Sequence, residues 1–294
     1  MNNLFSSSSE IEDKLFPPKI TLQSRGKLFL LDKPWVMGIM NITTDSFHEK
    51  SRVAFDEAAI LNAASKMINE GADILDIGGY SSRPGADDVP ESVEIKRVVS
   101  AISAIRKEFP DILISVDTFR SKVAWEAVNE GASMVNDISA GELDEQMIPT
   151  VGKLKIPYIA MHMRGNPKNM KDLTTYDDIV LELMTFFSKK LNQCIKAGIN
   201  DVILDPGLGF SKTLEQNYCI LKNLYYFKSM QNPILIGLSR KSMIYKKLHV
   251  DPSQALNGTT ALHMAALLKG ANILRVHDVK EANETITLFK QLYS

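Results

Sequence analysis

The chain has 294 residues, 45% of them hydrophobic, which is enough for one large domain or two small ones. Its 34 Lys and Arg and 35 Asp and Glu leave a net charge of −1, which argues against a protein built to bind nucleic acid or an anionic membrane surface. Two cysteines, Cys194 and Cys219, are too few for a disulfide scaffold and favour a reducing, cytoplasmic setting. No apolar run approaches the roughly 18 residues of a membrane-spanning helix.

The first 34 residues precede the main pattern of the chain. Residues 1–19 contain four consecutive serines and no apolar stretch, so we expect a loosely ordered tail rather than a signal or transit peptide. The segment 20–34 has two β-prone runs around Arg25-Gly26-Lys27, which predicts a β-hairpin that could plug the mouth of the following domain. We expect residues 20–294 to form a single domain.

Eight short apolar segments then alternate with amphipathic, helix-like stretches. Their ranges are 36–42, 73–79, 112–118, 133–139, 157–163, 201–207, 233–239 and 273–278. Four helix-to-strand joints carry a glycine where a helix would end, namely Gly71, Gly131, Gly198 and Gly270. Eight βα units in about 250 residues predict a (β/α)8 TIM barrel. The alternative is a doubly wound open sheet, but the Gly-rich turn expected after its first strand is absent.

Polar residues follow every one of the eight segments, where a barrel of this kind carries its chemistry. The main candidates are Asn41, Asp76, Arg83, Asp117, Asn136, Asp205, Lys241, Arg275 and His277. Carboxylates beside an amide suit a flat nitrogen heterocycle, because they accept hydrogen bonds from an amidine-like edge. The cations suit an anion with several oxygens, such as a diphosphate.

Three of the acidic residues also have structural interpretations. Asp76 could equally serve as a partner for backbone groups or for Lys241. Asp137 and Asp278 each follow a functional candidate by one residue, so their side chains should point the other way along the strand. We therefore expect structural or helix-capping roles for both.

Two further features are weak indicators. His162 lies between two methionines, and a hydrogen-bonded core histidine is the favoured interpretation. The segment 207–212, GLGFSK, resembles a phosphate-binding loop, but it lacks the Walker pattern and the third dinucleotide glycine.

Eight motifs, one for each strand and in chain order, resemble those of the dihydropteroate synthase family from about residue 30 to residue 293. They are MGIMNITTDSF (37–47), GGYSSRPG (78–85), SVDTFR (115–120), NDISAG (136–141), MHMRGNPKNM (161–170), DPGLGFSKTLEQN (205–217), SRKS (239–242) and RVHDVKEA (275–282). Corrinoid-linked pterin methyltransferases share the barrel and two of these motifs, but they are not expected to combine SSRPG, SRKS and RVHD.

The resemblance implies a transferase of folate biosynthesis that joins 6-hydroxymethyl-7,8-dihydropterin diphosphate to 4-aminobenzoate, releasing 7,8-dihydropteroate and diphosphate. It also implies a homodimer that binds small-molecule substrates and is a sulfonamide target. The displacement would be SN1-like, with Asp117, Lys241 and Arg83 as catalytic residues.

The resemblance also assigns ligands to positions in this chain. Pterin would be held by Asp117, Asn136, Asp205 and Lys241. Diphosphate would be held by Asn41, Arg83, Arg275 and His277, with Mg²⁺ near Asn41. Aminobenzoate would lie beside Ser82, Pro84, Lys241 and Ser242.

The chain departs from the family pattern in two loops. It has Thr44 where the family usually has proline, and 48–51 lack the usual Gly-Gly with Asp. Ser82 replaces a usual threonine but keeps the hydroxyl. A pterin-dependent methyltransferase domain and a catalytically inactive pterin-binding paralogue remain the alternatives.

Overall fold

A computed structural model describes residues 20–42, 56–80 and 88–293. The predicted tail at 1–19, the first-loop departures at Thr44 and 48–51, and the candidates Ser82, Arg83 and Pro84 lie outside these ranges. Within them, no helix is long and apolar enough to cross a membrane.

Eight parallel strands form the barrel. They are β3 (Trp35–Asn41), β4 (Ile74–Gly78), β5 (Leu113–Asp117), β6 (Met134–Asp137), β7 (Tyr158–Met161), β8 (Val202–Asp205), β9 (Leu235–Ile236) and β10 (Ile273–Val276). The sheet runs β8-β7-β6-β5-β4-β3-β10-β9, and a parallel bridge between Leu204 and Ile234 connects its two edges. Closure confirms the (β/α)8 prediction and excludes the open, doubly wound sheet.

Helices connect the strands on the outside. They are α1 (Glu57–Asn69), α2 (Glu91–Glu108), α3 (Ser121–Glu130), α4 (Met147–Leu154), α5 (Ile179–Lys196), α6 (Leu214–Lys222), α7 (Ser242–Leu248), α8 (Leu256–Leu268) and α9 (Val279–Tyr293). The four glycines at the predicted helix-to-strand joints all have positive φ, between 84° and 136°. A residue without Cβ adopts this backbone most readily, so the repeated joint has a common physical cause.

The predicted hairpin is present and covers one end of the barrel. Strands β1 (Thr21–Ser24) and β2 (Lys27–Leu30) pair antiparallel around Arg25 and Gly26, which both have positive φ. Leu22 packs against the first inward-facing residues of the barrel strands, including Trp35 and Met37. The hairpin therefore covers the N-terminal mouth, away from the strand ends that carry the polar candidates.

Strand alternation divides the barrel residues into two sets. Met37, Ile74 and Leu113 belong to an apolar cluster inside the barrel, whereas their neighbours, such as Val36 and Leu75, pack in the larger cluster under the helices. Because successive side chains point to opposite faces, the residue two positions further along each strand also faces inward. This rule determines which polar side chains enter the site.

Candidate active site

Five polar candidates lie directly above the apolar layer inside the barrel. Asp76, Asn136, Asp205 and Arg275 each stand two residues after a member of that layer, and Asp117 stands four residues after Leu113. The register pairs Asp117 with Asn136 and places Met161 beside Asp205. The strand pattern therefore brings three carboxylates, an amide and a guanidinium into one polar layer.

Arg275 connects two of the carboxylates. Its Nε donates to Asp76 Oδ2 and its Nη2 donates to Asp117 Oδ2, both at 2.6 Å. Asn136 Nδ2 donates to the same oxygen of Asp76 at 3.0 Å. Asp76 thus binds neither backbone groups nor Lys241, which were its expected structural partners. Its second oxygen, Oδ1, is buried without a hydrogen-bond partner among the described residues.

This arrangement shifts the pKa values of its members. Burial raises the pKa of Asp117 to about 7; Arg275 opposes this rise and Asp76 adds to it. Burial lowers the pKa of Arg275, but the carboxylates of Asp76 and Asp117 outweigh it and raise that pKa. Arg275 therefore stays protonated, while Asp117 changes charge near neutral pH.

Asp205 and Lys241 form the other side of the layer. Asp205 Oδ1 accepts a hydrogen bond from the Gly207 amide at 2.7 Å, and its other oxygen has no hydrogen bond to a described residue. Lys241 immediately precedes α7 and its Nζ donates to the carbonyl of Leu208. Burial lowers the pKa of Lys241 to about 8, although Asp205 raises it. Burial also raises the pKa of Asp205, with Lys241 as the main opposing charge.

A cavity of about 780 Å³ opens above this layer at the C-terminal ends of the strands. Six of the predicted site residues line it, namely Asn41, Asp117, Lys241, Ser242, Arg275 and His277. The side chain and backbone nitrogen of His277 both lie 3.2 Å from Ser239 Oγ. Asn136 and Asp205 lie deeper, at 3% and 5% exposure. The remaining predicted residues, Ser82, Arg83 and Pro84, lie outside the described ranges.

The two acids expected to be structural do not line the cavity. Asp137 accepts hydrogen bonds from the Tyr158 hydroxyl at 2.6 Å and from the backbone amides of Ser139 and Gly141. Asp278 forms a two-point ion pair with Arg240 at 2.8 and 2.9 Å. One-residue alternation along a strand therefore distinguishes Asn136 from Asp137.

The residues that could hold a divalent cation are few in the described part of the chain. The described residues include no cluster of three or more His, Cys, Asp or Glu side chains at metal-binding distance. Asn41 Oδ1 and Asp117 Oδ2 both approach Gly78, at 3.6 and 3.8 Å from where a Cβ would stand. One or two protein oxygens fit Mg²⁺, which usually takes its other ligands from water and substrate phosphates. The donor set around Asn41 fits such a loosely held ion.

Sequence reasoning did not identify the aromatic part of the cavity's apolar wall, which is Phe210. Phe210 and Met170 line the cavity, and both belong to a small apolar cluster with Met161 and Met163. Lys241 Nζ lies 4.8 Å from the centroid of the Phe210 ring, within the range of a cation–π contact. An aromatic residue inside the Gly-rich segment 207–212 was the available signal. The methionines are buried, and Met170 also lines the cavity.

Comparison with known proteins gives a consistent result. Residues 37–277 match the family described as pterin binding enzyme. The chain is 39% identical to the dihydropteroate synthase of Escherichia coli K12 over 279 residues, covering 93% of this chain and 96% of that protein. It is also 44% identical over 271 residues to the folic acid synthesis protein fol1 of Pneumocystis carinii, of which it spans only 36%.

Solved structures agree with the sequence comparison. A Yersinia pestis dihydropteroate synthase, solved as a sulfonamide drug complex, superposes with a TM-score of 0.86 at 38% identity, over 93% of this chain and 99% of that one. A Xanthomonas albilineans dihydropteroate synthase with 4-aminobenzoic acid gives a TM-score of 0.87 at 36% identity, over 94% and 99%.

The closed barrel, its acid–amide–guanidinium layer and the family match define a pterin-binding (β/α)8 enzyme. The relatives that align along nearly their whole length identify one family within this class of enzyme. The chain belongs to the dihydropteroate synthase family, whose members are transferases of folate biosynthesis.

Proposed function

We propose that this chain condenses 6-hydroxymethyl-7,8-dihydropterin diphosphate with 4-aminobenzoate to give 7,8-dihydropteroate and diphosphate. The observation that carries the proposal is the layer of Asp117, Asn136, Asp205 and Arg275 at the bottom of a cavity open at the C-terminal strand ends, where Asp117 and Arg275 line the cavity and Asn136 and Asp205 are buried. A layer of hydrogen-bonding groups at the bottom of an apolar-walled pocket suits a flat, polar-edged ring.

The pterin ring is proposed to bind edge-down against Asp205 and Asn136. Asp205 keeps one carboxylate oxygen without a hydrogen bond from a described residue, and Asn136 uses its Nδ2 on Asp76, which leaves its carbonyl oxygen to accept. Two such acceptors at the bottom of the site match the adjacent N–H donors of a guanidine-like edge. Lys241 supplies a donor to the opposite side of the ring.

The diphosphate is proposed to bind nearer the cavity mouth, beside Arg275, His277, Asn41 and Arg83. Arg275 commits Nε and Nη2 to carboxylates, so its Nη1 group remains to donate to a phosphate oxygen. This geometry supports a guanidinium that binds two carboxylates and a phosphate oxygen at the same time. Aminobenzoate is assigned to the positions of Ser82, Pro84, Lys241 and Ser242, of which Lys241 and Ser242 line the cavity.

Mg²⁺ is the proposed cofactor, and Asn41 is the residue proposed to hold it. When bound, it would add positive charge beside the leaving diphosphate, where charge develops as the bond breaks. The chain's own contribution at that point is the guanidinium of Arg275, which its two carboxylate partners keep protonated.

The proposed chemistry is an SN1-like displacement. The bond between the pterin methylene carbon and the diphosphate oxygen breaks, and the positive charge spreads into the dihydropterin ring. Ionised Asp117 stabilises that charge, since it lies in the same layer as the proposed ring site. The neutral amino group of aminobenzoate then forms the new C–N bond and loses a proton.

The assembly and setting are part of the proposal. We infer a homodimer from the family resemblance. Both cysteines are free, which supports a reducing, cytoplasmic setting.

Diphosphate release by the purified chain tests the proposed function. With pterin diphosphate and Mg²⁺, release should depend on added 4-aminobenzoate. No release, despite calorimetric binding of the pterin, would favour the inactive-paralogue alternative. Transfer of a methyl group from a methylated pterin to a corrinoid protein would favour the methyltransferase alternative.

A further inference from the structure

The segment 207–212 does not use its lysine as a phosphate-binding loop does. Lys212 is 8% exposed, and its Nζ donates to the carbonyls of Phe210 at 2.9 Å and His162 at 3.2 Å. It also lies 3.0 Å from His162 Nδ1. All three atoms are acceptors when His162 carries its proton on Nε2, and an ammonium group has three N–H donors. The Lys212 ammonium group therefore has all of its hydrogen-bond acceptors inside the protein. Burial holds the pKa of Lys212 well below its usual value, and the carboxylate of Asp205 opposes that shift.

Further contacts join the same segment to the end of β7. The Arg164 amide donates to Ser211 Oγ at 2.9 Å. Gly207 has φ 68°, and a Cβ there would stand 2.1 Å from the His162 carbonyl. A side chain at position 207 would push the two backbones apart, so the close approach requires glycine. Lys212 and Gly207 thus bring the segment against the same carbonyl group.

The segment in turn supplies part of the cavity. Gly209 and Phe210 line it directly. The Leu208 carbonyl accepts the hydrogen bond from Lys241 Nζ, and the Phe210 ring lies beside the same ammonium. The positions of Lys241 and of the apolar wall therefore depend on where the segment is held.

We propose that Lys212 is a positioning residue for the pterin pocket: through His162 and the Phe210 carbonyl it fixes the segment 207–212, and with it Phe210 and Lys241. The inference rests on the proposed function, because it concerns the ring site of that reaction. Lys212 does not line the cavity and has no role as a ligand for either substrate.

Lys212→Met tests this proposal, because methionine fills much of the lysine stem and removes all three donors. The KM for pterin diphosphate and the Kd for 6-hydroxymethylpterin should both rise roughly tenfold or more, as expected when a charged hydrogen-bond donor is lost. The KM for aminobenzoate should rise as well, because Lys241 also belongs to the proposed aminobenzoate site. Lys222→Met is the matched control, since Lys222 is exposed at the end of the helix that follows the segment.

A purely structural role would lower the melting temperature of Lys212→Met while leaving the pterin KM and Kd at their wild-type values; that result would overturn the proposal. His162→Leu should reproduce part of the pterin defect, because it removes one of the three contacts of Lys212. The double variant should cost no more than about Lys212→Met alone, because that variant already lacks the same contact. Additive defects would contradict the shared contact. Where Lys212→Met does not fold, Lys212→Gln retains two donors and should give an intermediate pterin Kd.

The ring of His162 provides a readout that is independent of activity. Nitrogen-15 NMR should show wild-type His162 protonated on Nε2, with the Nδ1 resonance displaced by the Lys212 hydrogen bond. The Nδ1 resonance should move in Lys212→Met and stay in Lys222→Met. An unchanged Nδ1 resonance in Lys212→Met would overturn the inference. An inactive wild type with the expected NMR shift would instead count against the proposed function alone.

Discussion

Arg275 Nε lies 2.6 Å from Asp76 Oδ2, so a partly buried ion pair joins β10 to β4 across the strand between them. The same guanidinium reaches Asp117 on β5. One side chain therefore links three strands inside the barrel, directly below the cavity. Arg275 has a structural task as well as its proposed task at the diphosphate.

Arg275→Ala should lower the free energy of unfolding by about 3–5 kcal/mol at neutral pH, because it leaves buried carboxylates without their cation. Urea unfolding measures the loss. Lys27→Ala is the control, since it breaks the exposed Lys27–Asp111 pair, 3.4 Å apart, and should leave stability nearly unchanged. An equally small loss of unfolding free energy in both variants would show that Arg275 does not contribute to stability.

The pH dependence of the reaction should reflect Asp117 and Lys241. The pKa of Asp117 is raised to about 7, so its charge is gained as pH rises through that value. The pKa of Lys241 is lowered to about 8, so its charge is lost as pH rises further. A plot of kcat/KM should therefore rise through about pH 7 and fall above about pH 8.

Two variants assign the two limbs of that profile. Lys241→Arg should remove the alkaline limb, because arginine stays protonated throughout this range. Asp117→Asn should remove the acidic limb and lower the maximal rate. If both limbs of the pH profile persist unchanged in these variants, the titrating groups are not Asp117 and Lys241.

Asp205→Asn tests the ring site, because it replaces the carboxylate oxygen without a described partner by an N–H₂ donor. The Kd for 6-hydroxymethylpterin should rise by an amount that corresponds to about 2–5 kcal/mol. Calorimetry measures it. Asp201 directly precedes the same strand at its opposite end, where its side chain accepts a hydrogen bond from the hairpin amide of Gln23, so Asp201→Asn should bind pterin normally. A change below threefold in Asp205→Asn would remove Asp205 from the ring site.

Asp137→Asn should show the opposite behaviour to Asn136→Ala. Asp137 accepts from Tyr158 and two backbone amides outside the cavity, so its loss should cost about 2 kcal/mol or more of stability with little change in pterin affinity. Asn136→Ala should weaken pterin binding, with a smaller effect on stability. Calorimetry combined with urea unfolding separates the two, and a reversed pattern would contradict the alternation along β6.

The fold was predictable because its signals are local and repeated. Each strand is a short apolar run, and each of four joints carries a glycine such as Gly131, whose φ is 136°. Strand lengths were less predictable: β9 spans only Leu235–Ile236 within the expected segment 233–239. Only these two residues pair as a strand because of the geometry of the closed barrel, and the local sequence does not encode that geometry.

The inward-facing residues were predictable from alternation, but their partners were not. Sequence reasoning placed Asp76 and Arg275 at strand ends without indicating that they bind each other, because their contact spans 199 positions of chain. The role of Lys212 was not predictable for the same reason. Its local pattern suggested an anion loop, whereas its partner His162 comes from another strand.

The ratio of dihydropteroate formed to diphosphate released tests the central claim most directly. Purified chain, pterin diphosphate, Mg²⁺ and isotopically labelled 4-aminobenzoate should give the two products in equal amounts, with the label carried in dihydropteroate. Omitting aminobenzoate should abolish dihydropteroate formation and lower the rate of diphosphate release. Diphosphate released with no labelled dihydropteroate, or no release of either product, would contradict the account.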